Sequence, residues 1–540
     1  MAMASRALSL LRRAGPSVVR PASTLPLPSD GAGGRLRFDD ARLAFDGVPT
    51  ADLVRALCVF QACGVGPLVA HGERLLAAAR RVLGDRAVAA VVRPTFFAHF
   101  VAGEDEAEVR CAVEGLRSRG VGAILDYAAE ADVEDAAPGA APPPSSRVYD
   151  YAGEAACDAA RDVFAGAIEA VARVAPEDGF AAIKVTALGQ PELLERWSSG
   201  LVETARLFGG ERLPTSDRGA FEAAWFGLFT ESAASRAAAA ETFGALEAAR
   251  ARAPGGAARV ADVISVKRMR ELSALCREAG PFAAAALTEE EGALADAMLD
   301  RLDGLAALAA ARGVRVMVDA EHTYFQPAID HICLELMRKY NRAGGAVVHN
   351  TYQCYLTATA AKLERHAALA NREGWHFGAK LVRGAYLHLE RARAARLGYA
   401  DPVHACIEDT HACFDAAVSF ALTRPDVRSG RSAANVLVAS HNRASVERAL
   451  DVMANEGLDA RTSKVYFGQL LGMADHLTFT LGAHGYRAYK YVPYGSLYEV
   501  MPYLLRRAHE NGDLLSSNVA GERALLVGEL ARRARAALGV

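Results

Sequence analysis

The sequence predicts an α/β protein: a (β/α)8 barrel of the TIM type, with N-terminal helices and a helical insertion between strands 2 and 3. Three observations predict it. Eight short, near-continuous apolar runs read as strands, the composition of strands covered by helices on both faces. From the third run onward each interval holds about one helical pattern, the alternation of a parallel sheet. Polar residues gather at the C-terminal ends of the runs, where a barrel carries its catalytic face. An open doubly wound sheet would also fit the alternation; the shared polar ends favour the barrel.

In order, the runs are GVGAILDY (120–127), FAAIKVTAL (180–188), VRVMVDAE (314–321), AVVHNTYQ (346–353), FGAKLVRG (377–384), NVLVASHN (435–442), KVYFGQLLG (464–472) and YRAYKYVPYG (486–495). Their polar ends carry Asp126 then Glu130, Lys184, Asp319 then Glu321, Gln353, Lys380 with Arg383, His441, Gln469 and Tyr491. The barrel is expected over residues 120–520. Within it, residues 190–310 are Ala-, Leu- and Glu-rich, too long for one crossover, and read as the insertion. Residues 31–119 read as an N-terminal helical region and 521–540 as a C-terminal helix. DAAPGAAPPPSSR (135–147) has the composition of a loop or linker.

Composition excludes several classes. The 540 residues are 51% hydrophobic and 23% charged, with a formal net charge of −3, ordinary for a globular protein and unsuited to nucleic acid. Nine cysteines form no CxxC pair, which points to a reducing compartment rather than a disulfide or zinc framework. No run of 18 apolar residues suggests a membrane span. Residues 1–30 are rich in Arg, Ser and Ala, with no acid before Asp30, the composition of an organelle transit peptide.

In MPYLLRRAHEN (501–511), Tyr503, Arg506 and Arg507 stand at i, i+3 and i+4 and share one helical face. Such a face is either a solvated basic surface or a clamp, because two guanidinium forks fix one carboxylate in orientation. Lys184, inside an apolar run, requires a carboxylate or a bound anion. Asp319 at the matching place of the next run is its expected partner. A Schiff-base lysine is the other reading, although a lysine held charged is a poor nucleophile. LVRGAY (381–386) sets Arg383, Gly384, Ala385 and Tyr386 after Lys380: cations for an anionic ligand, and small residues that let a flat ring or a phosphate approach the backbone. Neither G-x-G-x-x-G after the first strand nor G-x-x-x-x-G-K-[ST] occurs, so a redox cofactor would be held without a Rossmann turn. No metal motif is present; His322, His349 and His441 are spread over different strands.

Taken together, VMVDAEHTYFQPAID (316–330), NTYQCYL (350–356), GAKLVRGAYLHLERARA (378–394), VASHN (438–442), VYFGQLLGMAD (465–475) and YKYVPYGSLYEVMPYLLRRAHEN (489–511) resemble the proline dehydrogenase family. The resemblance covers roughly residues 90–135 and 175–520. It implies a mitochondrial, FAD-dependent oxidation of L-proline to Δ1-pyrroline-5-carboxylate by hydride transfer. Electrons would pass to a quinone, with peripheral association at the matrix side of the inner membrane. It also implies roles. Arg506 and Arg507 would hold the proline carboxylate, joined by Lys184 with Asp319 beside it. Tyr491 and Tyr503 would line the proline ring, Tyr386 would cover it, and Glu130 would pair with the first arginine and gate the site. Gln353, Lys380, Arg383, Gly384, Ala385, His441 and Gln469 would lie on or near FAD, with Lys380 where bacterial members carry an arginine. No metal and no nucleic acid are implied. Hydroxyproline dehydrogenase is the nearest alternative, and that branch looks to carry a serine where this chain has Tyr491. A Schiff-base barrel aldolase using Lys184 and a non-catalytic flavin-binding scaffold are the rivals from other classes.

Overall fold

The computed structural model describes residues 36–127, 151–174, 179–207, 218–252, 263–276, 286–342, 344–425, 435–513 and 518–539. Strands β1 (Val121–Tyr127), β2 (Phe180–Ile183), β3 (Arg315–Val318), β4 (Val348–Gln353), β5 (Ala379–Val382), β6 (Val436–Ala439), β7 (Val465–Leu470) and β8 (Ala488–Tyr494) close in sequence order into one barrel. The expected eight-stranded barrel is the fold observed. Closure is parallel, with Val121 opposite Ala488 and Tyr127 opposite Tyr494. Buried β-branched and aromatic residues supply the strands, as in FAAI and VHNTYQ, whose every residue is buried.

Several strands are shorter than the apolar runs that signalled them. β2 ends at Ile183, and Val185–Ala187 form one 3₁₀ turn. Lys184 therefore lies just past the strand end rather than inside a strand. The physical reason is Thr186: its backbone N–H and hydroxyl both bond the Glu321 carboxylate, which draws the chain out of the ladder.

The chain divides into two compact units. The first comprises described residues of Met1–Glu130, Ala439–Asp451 and Asp459–Val540, and includes β1, β7 and β8. Helix Glu106–Arg117 starts at Asp105, whose side chain accepts from the N–H of Glu108, and packs on β1. A core of Phe97, Phe100, Met473, Val500, Tyr503 and Leu504 joins the Thr50–Cys63 and Met501–Asp513 helices. Lys490 on β8 is fully buried; its ammonium bonds Asp475 at 2.7 Å and the carbonyl of Met473 at 2.6 Å. The helix that Asp475 begins follows Ala474, at φ +52°, the one left-handed non-glycine among the described residues. Glu522 holds that turn by accepting from the N–H groups of Ala474 and Asp475 at 2.9 and 2.7 Å.

The second unit comprises described residues of Ala131–Val438 and Val452–Leu458 and includes β2 to β5. Between β2 and β3 it carries helices Pro191–Leu207, Arg218–Phe226, Ala233–Arg252, Val266–Ala274 and Glu289–Arg312. The last of these packs on the Glu154–Val174 and Gln326–Tyr340 helices. It is delimited by a Thr288–Glu291 capping box and a left-handed Gly313. Arg301 on its inner face bonds Asp158 at 2.9 Å and Glu154 at 2.6 Å. Among the described residues between β5 and β6 lie two helices, Leu387–Leu397 and Ile407–Thr423, where one was expected. No described helix is long and apolar enough to cross a membrane.

Candidate active site

In the second unit, strand ends carry a mutually bonded polar set. Asp319 follows β3 and accepts from Lys380 Nζ at 2.6 Å. Sequence reasoning had matched Asp319 with Lys184 and set Lys380 toward a cofactor. Lys184, buried beside Thr186, acts through space on Glu321. Glu321 is 1% exposed and takes Thr186 N at 3.1 Å and Thr186 Oγ1 at 2.6 Å. Burial is the dominant influence on it and pushes its pKa up to about 7, against the Thr186 hydrogen bonds and the Lys184 charge. Gln353 ends β4 and donates from Nε2 to the Glu321 carbonyl at 2.8 Å.

Arg383, just past β5, directs Nε to His411 Nδ1 at 3.0 Å and lies 4.4 Å over the Phe414 ring. Burial lowers the pKa of both Arg383 and His411, so the imidazole bonds the cation as a neutral acceptor. Gly384 has φ +133°, and a Cβ there would sit 1.6 Å from the Tyr355 ring. The flat ring that this glycine admits is thus the protein's own. Gly384 and Ala385 are exposed, whereas Tyr386 is buried with its ring 4.2 Å from that of His322. Glu390 accepts from Thr323 N at 2.8 Å and lies 3.4 Å from His322 Nδ1. Its burial raises the pKa, but hydrogen bonds from His322 and Thr323 outweigh this and hold it below the ordinary value.

In the first unit, the Met501–Asp513 helix buries Tyr503, Leu504, Arg507 and Asn511 along one stripe. Arg507 is 1% exposed and lies in that stripe; Arg506, half-buried, borders it. Arg507 Nη2 bonds Glu510 one turn on at 2.5 Å, its Nε has no hydrogen-bond partner among the described residues, and its guanidinium lies 4.9 Å over the Tyr503 ring. The Tyr503 hydroxyl is buried without a hydrogen-bond partner among the described residues. Burial pushes its pKa up to about 12 against the attraction of Arg507, so the phenol stays protonated and available as a donor. Tyr491 lies opposite Ile124 on β8 and is half-buried. His441 Nε2 accepts from Leu470 N at 3.0 Å, and Gln469 bonds the Ser440 carbonyl and the Thr478 hydroxyl. Glu130 lies outside the described residues, as do residues 1–35 and the 135–147 segment. No cluster of three or more metal-ligating side chains occurs among the described residues.

Sequence reasoning missed Thr186 and Glu510 as parts of this arrangement, and placed Glu321 at a strand end without its partner. Glu510 had a visible signal, i+3 from Arg507. The Thr186–Glu321 pair spans 135 residues and had none.

A closed parallel barrel with charged side chains at its C-terminal strand ends is the architecture of a barrel enzyme. The family model described as proline dehydrogenase matches residues 213–519. "Proline dehydrogenase 1, mitochondrial" of Caenorhabditis elegans is 37% identical, over 92% of this chain and 88% of its own length; the Homo sapiens protein of that name is 37% identical over 92% and 90%. The Xenopus laevis hydroxyproline dehydrogenase is 32% identical over 93% and 91%. Among solved structures, proline utilization A from Bdellovibrio bacteriovorus shares the fold, with a TM-score of 0.52 at 16% identity over 95% of this chain. This chain spans 41% of that protein's length. The chain belongs to the proline dehydrogenase family, a family of oxidoreductases.

Proposed function

We propose that the protein oxidises L-proline to Δ1-pyrroline-5-carboxylate with FAD, the first step of proline catabolism, and passes the electrons to a quinone. The observation that carries the substrate half is the buried Arg507–Tyr503 pair, with an unbonded Nε–H and an unbonded hydroxyl on one helical face. A buried donor without an acceptor costs about 1–3 kcal/mol, so the helix is built for an anion with two or more acceptor oxygens. A carboxylate supplies them. Arg506 and Arg507 bind it, Lys184 adds charge, and Tyr503, Tyr491 and Tyr386 enclose the ring. Held in this way, C5 of the ring keeps one orientation, an effect that contributes several kcal/mol to a barrier.

The donor set fits FAD. Arg383 is a half-buried cation bonded to a neutral imidazole, and a phosphate oxygen is the stronger acceptor for it. Lys380, Arg383, Gln353 and the exposed Gly384–Ala385 backbone would hold the cofactor, together with His441 and Gln469. Bound FAD supplies the hydride acceptor. Lys380, fixed by Asp319, keeps a positive charge there with the single point geometry of an ammonium.

In this reading residues 1–30 direct the chain to the mitochondrion, the matrix being the compartment, and the protein meets the inner membrane peripherally. Support comes from relatives named mitochondrial and from the basic, acid-free composition of that segment. The N-terminal helices, the barrel of 120–520, its 190–310 insertion and the C-terminal helix remain the proposed division. Hydroxyproline oxidation is the second reading, motivated by relatives of that name at 32% to 34% identity. Tyr491 speaks against it, because in this reading its ring lines the proline and would fill the volume a 4-hydroxyl needs. The test is direct: purified protein should be yellow and should bleach on adding L-proline under nitrogen. A colourless protein that traps a substrate carbonyl under borohydride would instead support the aldolase.

A further inference from the structure

We propose that Glu104 is a positioning residue for substrate binding: by accepting the Leu497 N–H it fixes the rotation of the Met501–Asp513 helix and so the aim of Tyr503 and Arg507. The effect on proline rests on the carboxylate reading above; the mount itself does not.

The segment between β8 and that helix is fastened to the N-terminal helical region residue by residue. Ala102 N bonds the Pro493 carbonyl at 2.9 Å, and Gly495 N bonds the Gly103 carbonyl at 3.1 Å. Glu104 Oε1 accepts from Leu497 N at 2.7 Å. The Tyr498 hydroxyl donates to the Asp85 carbonyl at 3.1 Å, and the Arg80 guanidinium lies 5.1 Å over its ring. Glu104 is itself held from behind. Its Oε2 accepts from Arg93 Nη2 at 2.8 Å, and its own N–H bonds Glu108 Oε2 at 2.8 Å. Gly103 lies so close to Glu108 that a Cβ there would sit 2.3 Å from the Glu108 Cβ. Arg93 begins a single π-helical turn, Arg93–Phe97, and its guanidinium lies 5.7 Å over the Phe97 ring. Such turns are rare and frequent at functional sites.

Leu497 is where this hold takes effect. It is 1% exposed, and a buried N–H left without an acceptor is costly. From there the chain coils straight into the helix: Val500 N bonds the Ser496 carbonyl at 3.1 Å, and Leu504 N bonds the Val500 carbonyl at 3.0 Å. Leu497, Val500, Tyr503 and Leu504 share one buried core with Phe97. A helix turns about 100° per residue, so a slip of a fraction of a residue at its start swings Arg507 out of the buried stripe. Tyr503 and Arg507 can meet a carboxylate in one geometry only while that rotation is fixed.

The experiment measures KM and kcat for proline on the full chain with bound flavin, together with backbone hydrogen exchange read by mass spectrometry. Glu104→Asp keeps the charge and withdraws the carboxylate by one carbon. Glu104→Gln drops the charge and keeps an oxygen in place for Leu497 N. The expected order is the reverse of a charge effect. Glu104→Asp and Glu104→Ala should raise KM roughly tenfold with kcat and flavin content little changed, and Glu104→Gln should restore most of the loss. Exchange over residues 497–507 should quicken in the Asp and Ala variants alone. Arg93→Met, which removes a partly exposed ion pair, should change KM by less than about twofold. Wild-type KM and exchange in Glu104→Asp and Glu104→Ala overturn the inference, and so does a KM raised as much by Gln as by Asp. Faster exchange with KM unchanged overturns the link to substrate. If Glu104→Ala does not fold, the comparison of Asp with Gln decides. Arg507→Met measured beside them separates the two readings: if it keeps its KM, the carboxylate reading fails, and the exchange data still decide the mount.

Discussion

Two buried polar sets, one in each unit, are treated in opposite ways. In the second, Lys380 meets Asp319, Glu321 meets Thr186, and Glu390 meets Thr323 and His322. Every one of these groups is answered from within the unit. In the helix Met501–Asp513 of the first, Arg507 bonds Glu510 of its own helix, and among the described residues the Tyr503 hydroxyl and Arg507 Nε have no hydrogen-bond partner. The first pattern preorganises a surface; the second leaves donors for something else to satisfy. A charge removed from the closed set should therefore damage the fold, and a charge removed from the open set should damage binding.

The largest effect should follow Asp319→Ala. It leaves the Lys380 ammonium buried without its carboxylate, and breaking one side of a buried pair costs about 3–5 kcal/mol. Denaturant unfolding would show it as a lower midpoint with similar slope; an unchanged midpoint would erase the contrast between the units.

Glu321 sharpens the same contrast through pH. Its folded pKa, up to about 7, exceeds the ordinary 4.5. Between these values the folded state holds more protons than the unfolded one. Stability from the neutral form is thus complete below pH 4.5 and lost as pH rises toward 7, on the order of 3 kcal/mol in all. Glu321→Gln should flatten that segment of the stability–pH curve. A parallel curve for the variant would mean that Glu321 is ionised throughout.

On the open side, Arg507→Met should leave unfolding nearly unchanged, because Glu510 is partly exposed and can be solvated. Losing a charge-assisted bond of about 2–3 kcal/mol lowers kcat/KM for proline roughly 30- to 150-fold, mostly through KM, with flavin content intact. A variant that unfolds but retains its KM would move Arg507 into the closed set. The smallest effect expected is at Tyr491. Tyr491→Ser should narrow the preference for L-proline over trans-4-hydroxy-L-proline by about 1–3 kcal/mol, or 5- to 150-fold. Steady-state kinetics with both substrates would read it.

How much was legible follows the same division. All eight strands stood out because parallel strands covered on both faces are apolar throughout, and that signal is local. Their ends were less visible. Val185 and Ala187 continue an apolar run, yet they leave the sheet because Glu321, 135 residues away, captures Thr186. Lys184 drew notice as a lysine in an apolar run, whereas Lys490, more deeply buried, did not. Its partner Asp475 lies 15 residues back at a helix start, where nothing in the sequence marks it as the lysine's counter-ion. Gly384 was read as room for a ligand. Nothing in LVRGAY announces that Tyr355 occupies that room. Arg506 and Arg507 were legible as a pair; only coordinates distinguish the buried one from its neighbour at the border.

The seam between β1 and β8 has a consequence for how the protein is made. Tyr127 and Ala488 are about 360 residues apart, and the strands that carry them are hydrogen-bonded along their whole length. At roughly 5–20 residues per second, a ribosome needs on the order of 20–70 s to deliver the eighth strand after the first. For that interval the first strand has an open edge, the kind that recruits other chains. The lengthy segment between β2 and β3 adds little to the thermodynamic cost, since each doubling of a loop adds only about 0.6 kcal/mol. It does lengthen the wait. Until Tyr494 has emerged that edge is without its native partner, and truncation anywhere before β8 leaves it so for good.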